Sequence, residues 1–312
     1  MTTTNLALPR RGLAAISLLV IGLLCFQAVM AQEVEPRRWT HLPVGGNFAG
    51  VGYAYSNVDI FFNPALQLEN VNAEIHTMAT SYVRALNVFG KSGRIDVLIP
   101  YSVGRWDGLL QGEPASTRRS GFNDPRLRFA VNLIGPPAQR GADFRPFTAG
   151  TILGVALEVS PPLGEYSEDK LINLGSNQWV IRPQIGVVHS WGKWSAELTG
   201  SVFFYTDNDD FFDDTELELD PLPALQGHLI YTFRPGLWAS LSTAYGAGAE
   251  STIDGVDVND KKGKYLLAAS FGYPLTRRQG VRITYLRGRA TENVGSDADR
   301  LLLVYSIMWG GK

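Results

Sequence analysis

A chain of 312 residues with 28 Lys and Arg against 30 Asp and Glu, net charge −2, offers no basic surplus for a nucleic-acid partner. Its single cysteine, Cys25, falls in the first 31 residues, so the remainder has no disulfide and no thiolate chemistry. No apolar run of 18 residues follows, which argues against a transmembrane helix. The 33 glycines and a mean hydropathy near zero suit alternating strands.

Residues 1–31 read as a signal peptide: Arg10 and Arg11 are followed by an apolar run from Leu13 to Phe26, and Val29-Met30-Ala31 supplies a cleavage site. Cleavage after Ala31 predicts a mature protein that begins at Gln32, exported by the general route. The alternatives are an N-terminal membrane anchor and, from the Arg pair, a twin-arginine signal. The latter conflicts with a barrel, which crosses the inner membrane unfolded. Leu24 before Cys25 is too large for a lipoprotein site. Residues 32–47, polar and holding Pro36 and Pro43, are expected to form a periplasmic lead-in folded into a barrel mouth, with residues 48–312 forming the barrel.

Twelve strands are predicted, at about Phe48–Asn57, Val71–Phe89, Gly93–Trp106, Asp124–Ile134, Phe147–Ser160, Asn177–Trp191, Trp194–Asp207, Ala224–Arg234, Gly236–Tyr245, Lys264–Pro274, Val281–Arg289 and Arg300–Trp309. Alternation is the signal: Ile95, Val97, Ile99, Tyr101 and Val103 share one face, with Arg94, Asp96, Ser102 and Gly104 opposite. The sixth and seventh strands are joined by Gly192-Lys193, a pair suited to a type II′ turn, which sets Trp191 against Trp194, Val187 against Leu198 and Arg182 against Phe203. Trp179 and Trp191 lie twelve residues apart on the apolar face. At about 3.3 Å per residue and a tilt of about 40–45°, they span roughly 28–30 Å along a barrel axis, enough for the apolar band of about 25 Å between aromatic girdles. Pro183 interrupts the strand and predicts a bulge. Girdle positions are assigned to Trp179, Trp191, Trp194, Tyr265 and Tyr273. Short and long connections alternate, which predicts an all-β, antiparallel, up-and-down transmembrane barrel of about twelve strands with both termini periplasmic.

Charged residues on the other face are assigned to the lumen: Glu74, Arg84, Asp96, Arg126, Arg128, Glu158, Arg182 and Glu197, together with Arg94 and Arg282. Two readings stay open, an internal salt-bridge network and a conduit whose arginines attract solute. The register expects Val97→Arg to cost about 2–4 kcal/mol on the lipid face and Arg128→Ala mainly to alter conductance. The stretch Asp207–Asp220 holds eight carboxylates and no basic residue. A solvated loop, cation bridging to lipopolysaccharide and an ion site are the alternatives, although Phe211 and Phe212 break the EF-hand pattern. His41, His76, His189 and His228 have no metal-ligand spacing, so no metal, cofactor or catalytic residue is expected. An outer-membrane phospholipase is the enzymatic alternative. It needs a His and a Ser two positions apart on the outer face, and Trp191 stands two after His189.

The segments Leu42-Pro43-Val44-Gly45-Gly46, Gly121-Phe122-Asn123-Asp124-Pro125, Asn173-Leu174-Gly175-Ser176-Asn177-Gln178-Trp179 and Thr206-Asp207-Asn208-Asp209-Asp210-Phe211-Phe212 resemble the MetA-pathway-of-phenol-degradation family of bacterial outer-membrane barrels, over about Leu42 to Trp309. The resemblance implies an outer-membrane transporter for phenolic or other small aromatic compounds and carries over no site residue. Such barrels usually end on an aromatic residue, whereas this chain ends Trp309-Gly310-Gly311-Lys312. Either Trp309 serves from three positions in, or assembly is less efficient. The expected function is passive passage of small molecules, with a blocked structural barrel as the alternative and a lipid hydrolase as a third class. Outer-membrane lipid, lipopolysaccharide, the barrel-assembly machinery and a small solute are the expected partners. The inward arginines Arg84, Arg126, Arg128 and Arg182 predict a preference for aromatic acids, because a guanidinium pairs with carboxylate and stacks on rings. Neutralisation of Glu74, Asp96, Glu158 and Glu197 is the competing account.

Overall fold

The computed structural model describes residues 34–62, 68–212 and 214–311. Its elements in chain order are β1 (Gly46–Phe61), β2 (Leu68–Val88), β3 (Lys91–Leu110), β4 (Glu113–Phe122), β5 (Arg126–Ile134), β6 (Ala149–Ser160), β7 (Val180–Trp191), β8 (Trp194–Tyr205), β9 (Asn208–Phe211), β10 (Thr215–Leu219), β11 (Leu222–Arg234), β12 (Leu237–Gly248), β13 (Ser251–Ile253), β14 (Val256–Asp257), β15 (Lys262–Pro274), β16 (Gln279–Ala290) and β17 (Gly295–Gly310). The expected signal peptide lies outside the described residues.

Thirteen of these strands form one sheet that closes on itself, because β2 pairs with both β1 and β3 while β1 pairs with β17. β4 and β5 pair with successive parts of β3 and count as one stave, broken at Asn123-Asp124-Pro125. The barrel therefore has twelve staves, all antiparallel, and closure leaves few unpaired edges in the membrane. The sequence placed β4 inside a long loop; its Arg118, Arg119 and Ser120 give little apolar alternation.

The hairpin β7–β8 takes the register set by its turn, with Trp191 opposite Trp194, Val187 opposite Leu198 and Ile181 opposite Phe204. Gly192 has φ +66°, the left-handed conformation that a type II′ turn requires of its first residue. Pro183 produces no bulge. The ladder to β8 skips Arg182 and Pro183 and resumes in the same register at Gln184–Ser201, because a missing N–H removes a bond without adding a residue.

Outward residues are apolar or aromatic: Leu127, Phe129, Leu198, Leu229, Leu241, Leu267, Phe271 and Leu303 are all exposed, as a lipid-facing wall must be. Trp179 and Tyr265 lie toward the end of the long loops, whereas Trp191, Trp194 and Tyr273 lie toward the end of the short turns, and all five side chains are exposed. Trp194 meets Tyr231 edge-on at 4.8 Å and His189 stacks beside Trp191 at 5.8 Å, so His189 belongs to the interfacial layer.

The acidic stretch is not a solvated loop. β9 and β10 pair with each other, and β13 and β14 extend them into a separate four-stranded sheet above the barrel. Phe211, Leu217, Ile253 and Val258 form its buried core, so the apolar residues between the carboxylates are what fold it. Among the described residues no group of carboxylates or histidines is arranged to hold a metal ion.

Candidate channel lumen

Residues 34–45 enter the barrel from the rim that carries the short turns and fill part of its interior. A turn at Pro36–Trp39, with Arg37 at φ +69°, reverses the segment inside the lumen. The periplasmic end of this segment is pinned by backbone bonds, Val44 N–H to Gln139 O (2.8 Å) and Gly45 N–H to Ala85 O (3.0 Å). Gly311 donates to Gly45 O (3.1 Å), so the two ends of the barrel are tied to each other.

Polar side chains hold the inner part. Glu35 pairs with Arg282 at 2.8 Å and Arg38 at 3.0 Å. Arg37 donates its backbone N–H to Glu197 Oε2 (2.8 Å) and Nη2 to Thr232 (2.7 Å), and its guanidinium lies 4.7 Å over Trp238. Arg38 reaches Glu158 at 3.0 Å. Burial raises the Glu35 carboxyl, but Arg282 and Arg38 outweigh it and hold the group well below the usual carboxylate range. Burial lowers His41, against a contact from Gln139 that favours its charged form. His41 also stacks on Phe144 at 5.1 Å.

Trp39 is 1% exposed and lies flat on Gly154 and Gly186, which face each other in the β6–β7 ladder. A Cβ at Gly186 would come within 2.1 Å of the indole and one at Gly154 within 2.5 Å. The indole Nε1 donates to Thr199 Oγ1 (2.8 Å), the Arg128 guanidinium sits 4.6 Å from its ring, and Asn132 Nδ2 donates to its carbonyl (3.2 Å).

Six of the eight charged residues that the sequence assigned to the lumen face inward. Asp96 pairs with Arg94 (2.6 Å) and Arg128 (3.1 Å), and Glu158 with Arg38 and Arg182 (3.3 Å). Arg126 points into the lumen beside them, and Glu197 takes the Arg37 amide. Arg182 also lies 4.2 Å over Phe203. Glu74 and Arg84 are corrections. Glu74 opposes Arg105 and Asn57, accepts from Tyr55 (3.3 Å), and is exposed on the outer face above the aromatic layer. Arg84 opposes Ile95 and donates to Asn47 on the outer face at the opposite rim. Both lie on parts of β2 beyond the apolar band, where an outward charge meets water and headgroups rather than acyl chains. The rule that charges point inward does not hold there.

The residues that sequence reasoning missed are Glu35, Arg37, Arg38 and Trp39 of the lead-in and their seat, Gly154, Gly186 and Thr199. Two signals marked parts of this arrangement but not their meeting: a tryptophan flanked by charges in a polar lead-in, and the inward Gly186 set opposite Thr199 by the turn register.

The opposite wall is uncharged at mid-height. Ser240, Ser242, Ser270 and Thr284 face inward, with Thr284 donating to Ser270 (3.0 Å) and His228 contacting Ser242 (2.9 Å). Val34 packs there with Ala244, Leu266 and Ala268. Toward the extracellular mouth the lining turns apolar, through Val58, Ile60, Val71, Ala73, Ile75, Trp106 and Ala298, covered by Leu174.

The segments that resembled a family meet in space. Asp124 accepts from Gly164 N–H (2.8 Å), Ser176 N–H (2.7 Å) and Ser176 Oγ (2.6 Å), and Asn123 Nδ2 donates to Leu174 O (3.2 Å). Asn177 donates to Asn208 (2.7 Å), which in turn donates to Tyr166 (2.9 Å). Three of the four segments thus fold residues 161–179 over the mouth, and Pro43–Gly46 sets the base of the lumenal segment.

The structure is similar to the COG4313 outer membrane channel from Pseudomonas putida F1, with TM-score 0.74 and 22% identity over 89% of this chain and 100% of that one. It is also similar to the transport unit of the autotransporter AIDA-I from Escherichia coli, with TM-score 0.51 and 9% identity over 96% of this chain and 99% of that one. At these identities the likeness is one of fold. A search of curated proteins found no match. The profile of the family described as "Putative MetA-pathway of phenol degradation" matches residues 63–298, about three quarters of the sequence, and the chain belongs to that family.

Proposed function

We propose that this outer-membrane barrel is a channel for small aromatic molecules, with residues 34–41 as its removable constriction. The observation that carries the reading is how the segment is held. Apart from Trp39, Val34 and the ring contacts of Arg37 and His41 it is bound by ion pairs and hydrogen bonds to wall residues, contacts that water and solute can replace, rather than by a continuous apolar core. Family membership supports the aromatic class. Of the arginines expected to attract aromatic acids, Arg128 and Arg182 are paired with Asp96 and Glu158 and Arg84 lies on the outer face, which favours uncharged aromatic solutes over acids.

The blocked-barrel reading has its own support in the close fit of Trp39. Planar-bilayer recording of refolded protein separates the two. Deletion of residues 34–41 is expected to raise conductance severalfold and to speed uptake of phenol into liposomes. A deletion variant that folds and stays silent would favour the structural barrel.

A further inference from the structure

We infer that the seat of Trp39 is a binding site for a flat aromatic solute bearing one hydrogen-bond donor, of phenol or indole type, and that Trp39 occupies it as an internal stand-in. The inference rests on the channel reading and names the solute chemistry at one point of the path.

The seat is built for a ring. Asn132, Gly154, Gly186, Thr199 and Gln226 lie side by side in one circumferential row across five staves. Glycine is a poor strand residue, because it packs nothing and loses more backbone freedom on folding. Two glycines face to face in mid-stave remove side chains where a planar group must lie against backbone. Ala130, Ile152, Ala156 and Val188 enclose this floor. Arg128 covers the ring face, a contact that favours an aromatic ring over a saturated ring of equal size. One polar atom, Thr199 Oγ1, accepts the single donor that the indole presents. A phenol hydroxyl offers the same ring and the same donor.

The stand-in can leave because its neighbours in the chain are held by exchangeable contacts at Glu35, Arg37 and Arg38. The same construction recurs along the lumen. Trp238, toward the periplasmic end, lies over Gly272, where a Cβ would come within 2.2 Å of the indole nitrogen, and Arg37 stacks on its ring. Trp106, toward the extracellular end, lies over Gly104, where a Cβ would come within 2.4 Å. Aromatic rings on glycine beds thus mark three depths, and the middle bed alone is filled by a ring from the segment that can withdraw.

The test uses the refolded full-length barrel with indole, phenol and cyclohexanol as probes. In Trp39→Ala, indole at about five times its dissociation constant is expected to raise the thermal midpoint by about 2–4 °C, saturably, and to reduce the open conductance. Phenol acts similarly at higher concentration. Trp39→Ala combined with Gly186→Leu, which fills the floor, loses the response. In the native protein, indole competes with Trp39 and increases the frequency of openings, a measurement that stands even where Trp39→Ala fails to fold. An equal response to cyclohexanol, or no response to indole in the native protein, overturns the inference. A Trp39→Ala barrel that conducts but ignores indole sinks the seat and leaves the channel. One that binds indole but never conducts sinks the channel and leaves the seat.

Discussion

The two halves of the lumen wall solve the same problem differently. On β3, β5, β6, β7 and β8 the inward residues are charged and paired, Asp96 with Arg94 and Arg128, Glu158 with Arg38 and Arg182. On β11, β12, β15 and β16 the inward residues at mid-height are uncharged, among them Gln226, His228, Ser240, Ser242, Ser270 and Thr284, and charge appears only nearer the two rims, at Arg282 and Lys264. The lumenal segment directs Arg38 and Trp39 to the charged half and meets the other half through Val34 at mid-height and, nearer the rim, through Glu35 on Arg282 and Arg37 on Thr232 and Trp238. The contrast teaches that charge here builds a fixed anchorage, while the uncharged mid-height stretch of the other half is the wall that a solute could slide along without breaking an ion pair.

The sharpest way to break this contrast is Glu158→Ala. It leaves Arg182, 5% exposed, without its carboxylate, and removes one of the two close carboxylate partners of Arg38. Loss of one member of a buried pair costs about 3–5 kcal/mol, so denaturant unfolding followed by gel shift should show a marked drop in midpoint. The same logic revises the expectation for Arg128, which is buried among Asp96, Gln184 and Trp39, so that Arg128→Ala should lower stability and not only alter conductance. Gly186→Ala comes next. Its methyl group would meet the indole, and overpacking of this kind costs about 1–3 kcal/mol. That cost falls on seating of the segment, so open probability in bilayers should rise while the barrel's own unfolding changes less.

Acidification sharpens the contrast from the other side. Seating lowers His41, so the released segment takes up a proton first, and stability is lost as pH falls through the ordinary His range. Glu35 is also lowered, so its contribution is present above the ordinary Glu value and is lost as pH falls below it. Both signs agree: open probability should rise from pH 7 to pH 4, and recordings that show the opposite would contradict the anchorage. The smallest effect is expected from Ser270→Ala on the hydroxyl half. It removes the acceptor of Thr284 and should cost about 0.5–1.5 kcal/mol, with little change in opening.

Much of the wall was legible in sequence because alternation and one turn fix it. The β7–β8 register, the outward Trp191 and Trp194, and the inward Arg182 and Glu197 all follow from Gly192-Lys193. Glu74 and Arg84 were misplaced because alternation names faces but not heights, and an outward charge is allowed beyond the apolar band. β4 was missed because its rows stand above the membrane, where no apolar alternation is required. The seat of Trp39 was illegible for another reason: it joins β5, β6, β7 and β8 to a residue about 90 to 160 positions earlier, and no local pattern announces such a meeting.

The tie between Gly311 and Gly45, with Gly141 N–H on Gly311 O, has a consequence for the order of events during biogenesis. Segment 34–45 leaves directly from β1, yet its partners sit on β5, β6, β8 and β16 and on the residues just after β17. Those partners surround it only after the last strand has met the first along Gly46–Gly310 to Phe61–Gly295. The Gly311–Gly45 bond sits at the end of that seam, so the base of the segment is locked only in a barrel whose first and last strands have met, and a fully seated segment reports a closed barrel.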